Sequence, residues 1–394
     1  MANENIHRPL MLPVYLPAVM LGVSAQAILI LLPLYVIEVG GSLAAASTAV
    51  GCRGLGMMAF DIPAGMLAAR YGDKLVMLFA VILIGSAQFA YTLTDNVTLI
   101  CLIAFVNGAG SSSFLLGRMS YITSVCAADA RGRVIAMLAG SMRGAALVGP
   151  LAGAAIVELA GFDTAFIVAA CTAALGFVAI ASTAIHEQPI VRDLRLRSMI
   201  TLIVEYRRAF STAGVAAIVF MLLRSARTVL IPLTGAALAV DVGTIGLIVS
   251  ASATIDVALF YPAGLIMDKY GRRSTAVPSS ALLAISVAAM ALAVGVKSLL
   301  AVALLAGVAN GLSTGIVMTL GTDLAPADRR SEFLGMWRLL TDFGTAAGPM
   351  AIGMVVAVAP IGTACLTIAA LGAAGSYTIF RYVEETGVSR AGTR

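Results

Sequence analysis

Charge is scarce in this 394-residue chain: 11% of its residues are Asp, Glu, Lys or Arg, against about 25% in water-soluble domains. With 60% hydrophobic residues and a mean hydropathy of +1.00, that scarcity excludes a soluble enzyme, a nucleic-acid binder and a disordered regulator. The net charge of +5 lies in short loops between apolar runs and calls for no nucleic-acid partner. Cysteine is sparse too. Cys52, Cys101, Cys126, Cys171 and Cys365 fall in apolar stretches, odd in number and without ligand spacing. They read as small buried hydrophobes, not as disulfides or metal ligands. The sequence holds no nucleotide-binding loop, catalytic triad, metal cluster or phosphorylation module. It reads as a non-enzyme without cofactors, whose energy comes from gradients rather than ATP.

What the chain has in quantity is apolar runs. Roughly 20 apolar residues cross the hydrocarbon layer of a membrane. Twelve runs qualify: 12–37, 43–68, 75–93, 97–126, 132–159 and 163–184, then 210–238, 243–267, 275–295, 297–324, 332–357 and 360–381. The expected fold is an all-α integral membrane protein of twelve transmembrane helices. The first ten residues are polar and carry no cleavage pattern, so the first run is expected to be kept. With the N-terminus in the cytoplasm, 18 of the 25 basic residues lie on that side, only Lys297 lies opposite, and six sit within spans. The positive-inside rule then places both termini in the cytoplasm. Minimal loops without glycosylation-friendly ectodomains point to a bacterial inner membrane.

The longest polar stretch, His186–Arg208, carries Arg192, Arg195, Arg197, Arg207 and Arg208 around an apolar patch, Met199–Val204. It fits a cytoplasmic linker, either a solvated tether or an amphipathic segment lying on anionic headgroups. The expected organisation is a six-helix bundle at 1–185, a linker at 186–209 and a second six-helix bundle at 210–394. The bundles are copies. A shift of 199 residues sets Pro33 on Pro232, Pro63 on Pro262, Gly65 on Gly264, Gly72 on Gly271, Asp129 on Asp328, Gly149 on Gly348 and Pro150 on Pro349. Pseudo-symmetric halves of this kind place a substrate site near the midplane and transport by rocking about it.

Two segments now carry a resemblance. Gly65–Lys74 (GMLAARYGDK) and Gly264–Arg273 (GLIMDKYGRR) resemble the loop motif of the major facilitator superfamily, G-x-x-x-D-R/K-x-G-R/K-R/K. The resemblance implies that Gly65, Arg70, Gly72 and Lys74 in one copy, and Gly264, Asp268, Gly271 and Arg272 in the other, form a charged cytoplasmic latch. The first copy departs from the pattern at Ala69 and Asp73. Gly144–Ala154 (GAALVGPLAGA) looks like the antiporter motif of the superfamily's drug and metabolite efflux branch, through Gly144, Gly149, Pro150 and Gly153. Its physical content is a closely packed, flexible helix, and ordinary small-residue packing gives the same pattern. The arginine that proton-driven efflux members carry before a Gln-Gly pair in the fourth helix is missing; Asn107-Gly108 is preceded there by Ala104, and Arg118 comes later.

Nine charges lie within the spans: Arg53, Asp61, Arg118, Arg143, Arg224, Arg227, Asp256, Arg338 and Asp342. Facing lipid, each would cost about 2.5–3.5 kcal/mol near a helix centre, so they are expected to face protein or a wet cavity. Arg338 and Asp342 can pair at i, i+4. Arg224 and Arg227 share a face, and Asp256 on the next helix could be the anion between them. Six arginines against three aspartates suit a carboxylate or phosphate on the cargo. Arg53, Arg143, Arg224, Arg227, Asp256, Arg338 and Asp342 are therefore the candidates for substrate binding and coupling. Asp61 and Arg118 are assigned to the gate, and Asp256 or Asp342 could carry a coupling proton. Weaker candidates for substrate contact are Gln26, Tyr35, Asn107, Asn310 and Trp337.

The expected function is secondary active efflux of small anionic, zwitterionic or amphipathic compounds against protons, by a monomer in the lipid bilayer. An organic-anion uniporter or importer, or a siderophore or metabolite exporter without proton coupling, is the alternative. A receptor or a lipid scramblase on the same scaffold is a more distant one.

Overall fold

In hydrocarbon a backbone must satisfy its own hydrogen bonds, and the helix does this within one segment. The computed structural model describes residues 10–126, 128–183, 196–313, 315–326 and 328–382, and every regular element among them is helical. The chain divides into two compact units, Met1–Leu194 and Arg195–Arg394. The boundary falls inside the expected linker. Helix Leu196–Glu205 belongs to the second unit, and residues 186–195 of the linker lie outside the described residues.

Among the described residues, ten helices are long and apolar enough to cross a membrane. One of them, Ala130–Ala181, has 52 residues, about 78 Å if straight, against a hydrocarbon thickness of roughly 30 Å. It is a hairpin. Gly161 interrupts it at φ 83°, ψ 171°, a backbone region that a side chain disfavours. Gly149 and Gly153 pack beside Val23, Ala27 and Leu31 of the first span, and Phe162 lies 5.5 Å from Tyr35. Gly176 lies back beside Pro17 and Leu21. The two arms are the fifth and sixth spans. Helix Arg272–Met290, diluted by two arginines, a proline and several hydroxyl residues, is too polar for the ten and is the ninth span. The twelve spans expected from the sequence are thereby accounted for.

The first unit holds Met11–Glu38, Leu43–Tyr71, Asp73–Leu93, Val97–Val125 and the two arms of the hairpin. The second holds Arg207–Ala237, Val242–Tyr270, Arg272–Met290, Val296–Leu324, Glu332–Val356 and Ile361–Tyr382. Their caps repeat with the sequence. The Ser42 hydroxyl accepts the Ala45 amide (3.1 Å) at the start of the second span, and its copy Asp241 accepts the Thr244 amide (2.7 Å) at the start of the eighth. Each satisfies an orphan donor of the first turn. Gly72 and Gly271, at φ 89° and 93°, make the turns into the third and ninth spans.

One difference breaks the symmetry. The fourth span runs unbroken from Val97 to Val125, whereas the tenth stops at Leu312, turns through Gly315 at φ 83°, and resumes as Ile316–Leu324.

Spans pack through residues without bulk. An ideal Cβ on Gly56 would lie 2.0 Å from the Phe105 carbonyl oxygen, and one on Gly108 would lie 1.9 Å from that of Arg53. The second and fourth spans therefore touch backbone to backbone. In the second unit Gly307 meets the Ser252 carbonyl of the eighth span, and Gly344 and Gly348 meet the Ile218 and Leu222 carbonyls of the seventh. In the antiporter-like segment, close packing comes from Gly149 and Gly153. Among the described residues, no atom lies within 4 Å of an ideal Cβ on Gly144, nor on Gly264 of the second loop motif.

Elsewhere the units expose apolar side chains such as Ile82, Leu102, Leu175 and Leu265, an outer face suited to acyl chains. The reading of all five cysteines as buried needs correction: Cys126 and Cys365 are buried, Cys52 and Cys101 are half-buried, and Cys171 is exposed. A polar outer face is not required in lipid, so an apolar stretch does not imply an interior position.

Candidate functional site

In the first unit the charge sites follow the contact between the second and fourth spans. Because Gly108 allows the Arg53 backbone to approach, the Arg53 guanidinium reaches across to the fourth span. Its Nε donates to Asn107 Oδ1 (3.1 Å) and its Nη2 to Ser111 Oγ (3.4 Å). Two turns further on, Asp61 accepts a hydrogen bond from the Ser112 hydroxyl. Arg118 lies on the same fourth span, 4% exposed, with its guanidinium 5.3 Å from the Phe114 ring centre and Nη1 4.0 Å from Met142 Sδ. Asp61 and Arg118, both expected at the gate, have different described contacts. Arg143 is half-buried in the fifth span.

The second unit gathers its polar groups where the seventh, eighth and tenth spans meet. Arg227 Nη1 donates to Ser252 Oγ (3.2 Å), and the same hydroxyl donates to the Ala303 carbonyl (2.6 Å). One turn beyond Ser252, Asp256 Oδ2 accepts from Asn310 Nδ2 (2.6 Å). The sequence offers Asp256 as a candidate anion for the arginine pair, and its described hydrogen bond is to Asn310. Arg227 is hydrogen-bonded to Ser252 and feels the Asp256 charge through space, along with that of Arg224. Arg224, one turn earlier, is half-buried. Arg338 Nε and Asp342 Oδ2 form an ion pair at 3.3 Å along the eleventh span.

The shift of 199 relates these sites. Arg53 and Ser252 are equivalent, as are Met57 and Asp256, and Ser111 and Asn310. At these positions the first unit carries a cation, Arg53, and the second a carboxylate, Asp256.

The loop motifs differ similarly. Arg272 pairs with Asp268 (3.0 Å), with Asp323 at the end of the tenth span (3.4 Å), and with the Met267 carbonyl (3.3 Å). The first unit has Ala69, Asp73 and Ser124 at the positions of Asp268, Arg272 and Asp323. There Arg70 lies over its neighbour Tyr71, and Lys74 donates to the Thr183 (2.7 Å) and Ala181 (3.2 Å) carbonyls, closing the end of the sixth span. Arg273, the copy of Lys74, lies over Phe380 of the twelfth span at 4.9 Å. Near these loops Arg329 binds Glu205 (3.0 Å) and Glu332 (2.9 Å), and the Glu332 hydrogen bond holds its guanidinium above the ordinary arginine range.

The weaker candidates make contacts within their own units. Tyr35 donates to the Tyr91 (3.0 Å) or Thr94 (3.2 Å) carbonyl or to Asp95 (3.3 Å), and its ring packs on Phe162 and Phe166. Trp337 donates to the Val317 carbonyl (2.9 Å), and Asn107 and Asn310 hold the charges described above. Gln26 lies beside the position of a Cβ on Gly149. Sequence reasoning missed Ser111, Ser112, Ser252 and Asp323. The duplication offered a signal for two of them, since Ser252 and Ser111 are the copies of Arg53 and Asn310.

Comparison with known proteins agrees with this architecture. Solved structures of similar fold include a POT family transporter in complex with a thioalcohol-conjugated peptide (TM-score 0.77, 12% identity, 95% of each chain). They also include a D-xylose–proton symporter (TM-score 0.74, 13% identity, 96% of this chain and 98% of that one) and the nucleoside transporter NupG (TM-score 0.75, 15% identity, 95% and 100%). No curated protein matches the sequence. The Major Facilitator Superfamily model matches residues 14–213 and again 213–393, one match for each six-span copy, and the chain belongs to that superfamily.

Proposed function

We propose that this chain is a secondary active transporter that exports small organic anions or zwitterions in exchange for protons, by alternating access. The observation that carries the reading is the cluster at the meeting of the seventh, eighth and tenth spans. There Arg227 on Ser252 and Asp256 on Asn310 place a permanent cation within the field of a titratable carboxylate. Arg227 can engage the anionic group of a cargo, and Asp256 is the candidate carrier of the coupling proton beside it. Export is supported by the antiporter-like segment. A multi-pass position in an inner membrane with cytoplasmic termini is supported by the one-sided distribution of Lys and Arg. A monomer suffices, because each copy is complete in one chain.

The test is flux in proteoliposomes with a panel of labelled organic anions, zwitterions and cations, with and without an imposed pH gradient. Anion movement opposite to proton movement is expected. In Asp256→Asn the Asn310 hydrogen bond can re-form with the amide oxygen, yet gradient-driven accumulation should vanish while exchange down a gradient persists. Preference for cations, or full accumulation in Asp256→Asn, refutes the proposal. Anion movement in the same direction as protons keeps the site and replaces export by uptake.

A further inference from the structure

The arginines of the two units are neutralised very unevenly. Arg272, Arg329 and Arg338 each pair with a carboxylate, Arg227 lies in the field of Asp256, and Arg53 is held by two polar side chains. Arg118 has none of these. It is 4% exposed, its Nε is buried without a hydrogen-bond partner, and its described contacts are the thioether of Met142 and the ring of Phe114. Among the described residues no carboxylate pairs with it. A ring face and a sulfur atom attract a cation weakly, and neither matches the fork of donors that a guanidinium presents. Burying a permanent charge in this way is unfavourable to the fold unless an anion joins it during the working cycle.

We propose that Arg118 is an oxyanion-binding residue of the first unit, taking the carboxylate of a ligand with an apolar body. The chemistry of the lining selects the class. Met142 and Phe114 offer packing surface and no further donors, so a strongly hydrated ion such as free phosphate would lose water without replacement. A carboxylate on an aromatic or aliphatic body gains the charged hydrogen bond and buries its body on the same two side chains. Asn107, Ser111, Phe114 and Arg118 recur at intervals of three or four residues and so follow one stripe of the fourth span. This stripe also carries the side chains that hold Arg53. The Arg227–Asp256 cluster belongs to the second unit. The physiological meaning of the Arg118 site rests on the anion-transport reading, but its binding chemistry is measurable without transport.

The experiment is thermal unfolding of the purified full-length chain in detergent, titrated separately with benzoate, inorganic phosphate and benzylamine. Benzoate is expected to raise the midpoint in a saturable way, with phosphate and benzylamine ineffective. Arg118→Met should unfold at a higher temperature than the parent without ligand, because an uncompensated buried charge is replaced by a side chain of similar length. The same variant should bind benzoate at least about tenfold more weakly, as expected for loss of a charge-assisted hydrogen bond. Arg118→Lys should retain part of the response. The proposal is overturned if the parent does not respond to benzoate, if phosphate alone stabilises it, or if Arg118→Met keeps its benzoate affinity. A lower unliganded midpoint in Arg118→Met also overturns it, by showing the guanidinium to be a packing element. Loss of the response in Arg227→Met but not in Arg118→Met assigns binding to the second unit and overturns this inference alone. An Arg118-dependent response in a protein that moves no anions overturns the transport reading and leaves this site standing.

Discussion

Replacing Gly108 by alanine probes the contact on which the first unit's charge site is built. The added methyl carbon would lie 1.9 Å from the Arg53 carbonyl oxygen, 2.8 Å from its carbon and 3.0 Å from the Met57 amide nitrogen. All three are backbone atoms and cannot turn aside. Carbon–oxygen contacts below 3.0 Å are essentially never seen, so the second and fourth spans must separate by at least about 1.1 Å. Overpacking of this kind costs about 1–3 kcal/mol, and removing a glycine from a helix returns about 0.5–1 kcal/mol. A net loss of about 1–2 kcal/mol is expected. The same separation stretches the Arg53 hydrogen bonds, now 3.1 and 3.4 Å, out of range, so transport should fall with stability. Thermal or denaturant unfolding in detergent measures the first effect. Gly140→Ala, where no atom lies within 4 Å of the new carbon, is the control and should be as stable as the parent or more so. Equal stability of the two variants would refute the backbone contact.

Two further substitutions separate scaffold from machinery. Tyr35→Phe removes a donor shared among two carbonyls and Asp95; unfolding should show a loss of about 0.5–1.5 kcal/mol, with flux per folded molecule unchanged. Arg272→Gln breaks ion pairs to Asp268 and Asp323, whose side chains are 72% and 30% exposed; solvent screening should hold the stability loss below about 1 kcal/mol, measured by chemical denaturation at low and high salt.

The architecture was legible because lipid imposes strict rules on backbone and length, and because the chain states its plan twice. Pro33 and Pro232, Gly72 and Gly271, and Ser42 and Asp241 mark equivalent helix-interior prolines, turns and caps whatever lies between them. The turn at Gly161 falls in the gap between the runs 132–159 and 163–184, and the polar ninth span matches the run 275–295. Contacts across helices were another matter. Helix order puts Asp256 near the arginines. Which hydroxyl or amide reaches Arg227 or Asp256, however, depends on rotation and axial register set by glycine contacts such as Gly307 on Ser252. The break in the tenth span was equally hard to foresee. Gly311 to Gly315 (GLSTG) is close in composition to Gly108 to Ser113 (GAGSSS), which lies in the unbroken fourth span. The polar ends of Tyr35 and Trp337 rest on carbonyls 56 and 20 residues away, partners that no local sequence pattern names.

That break has a mechanical consequence. A left-handed glycine between two helical stretches is a joint, and beyond it Ile316–Leu324 is a short lever. The Val317 carbonyl hangs from Trp337, and Asp323 near the tip holds Arg272. Bending at Gly315 can therefore release or re-form the arginine clasp while Asn310, on the other side of the joint, keeps its grip on Asp256. The first unit has an unbroken helix, Val97–Val125, in the corresponding place and no such joint, so copies alike in outline differ here.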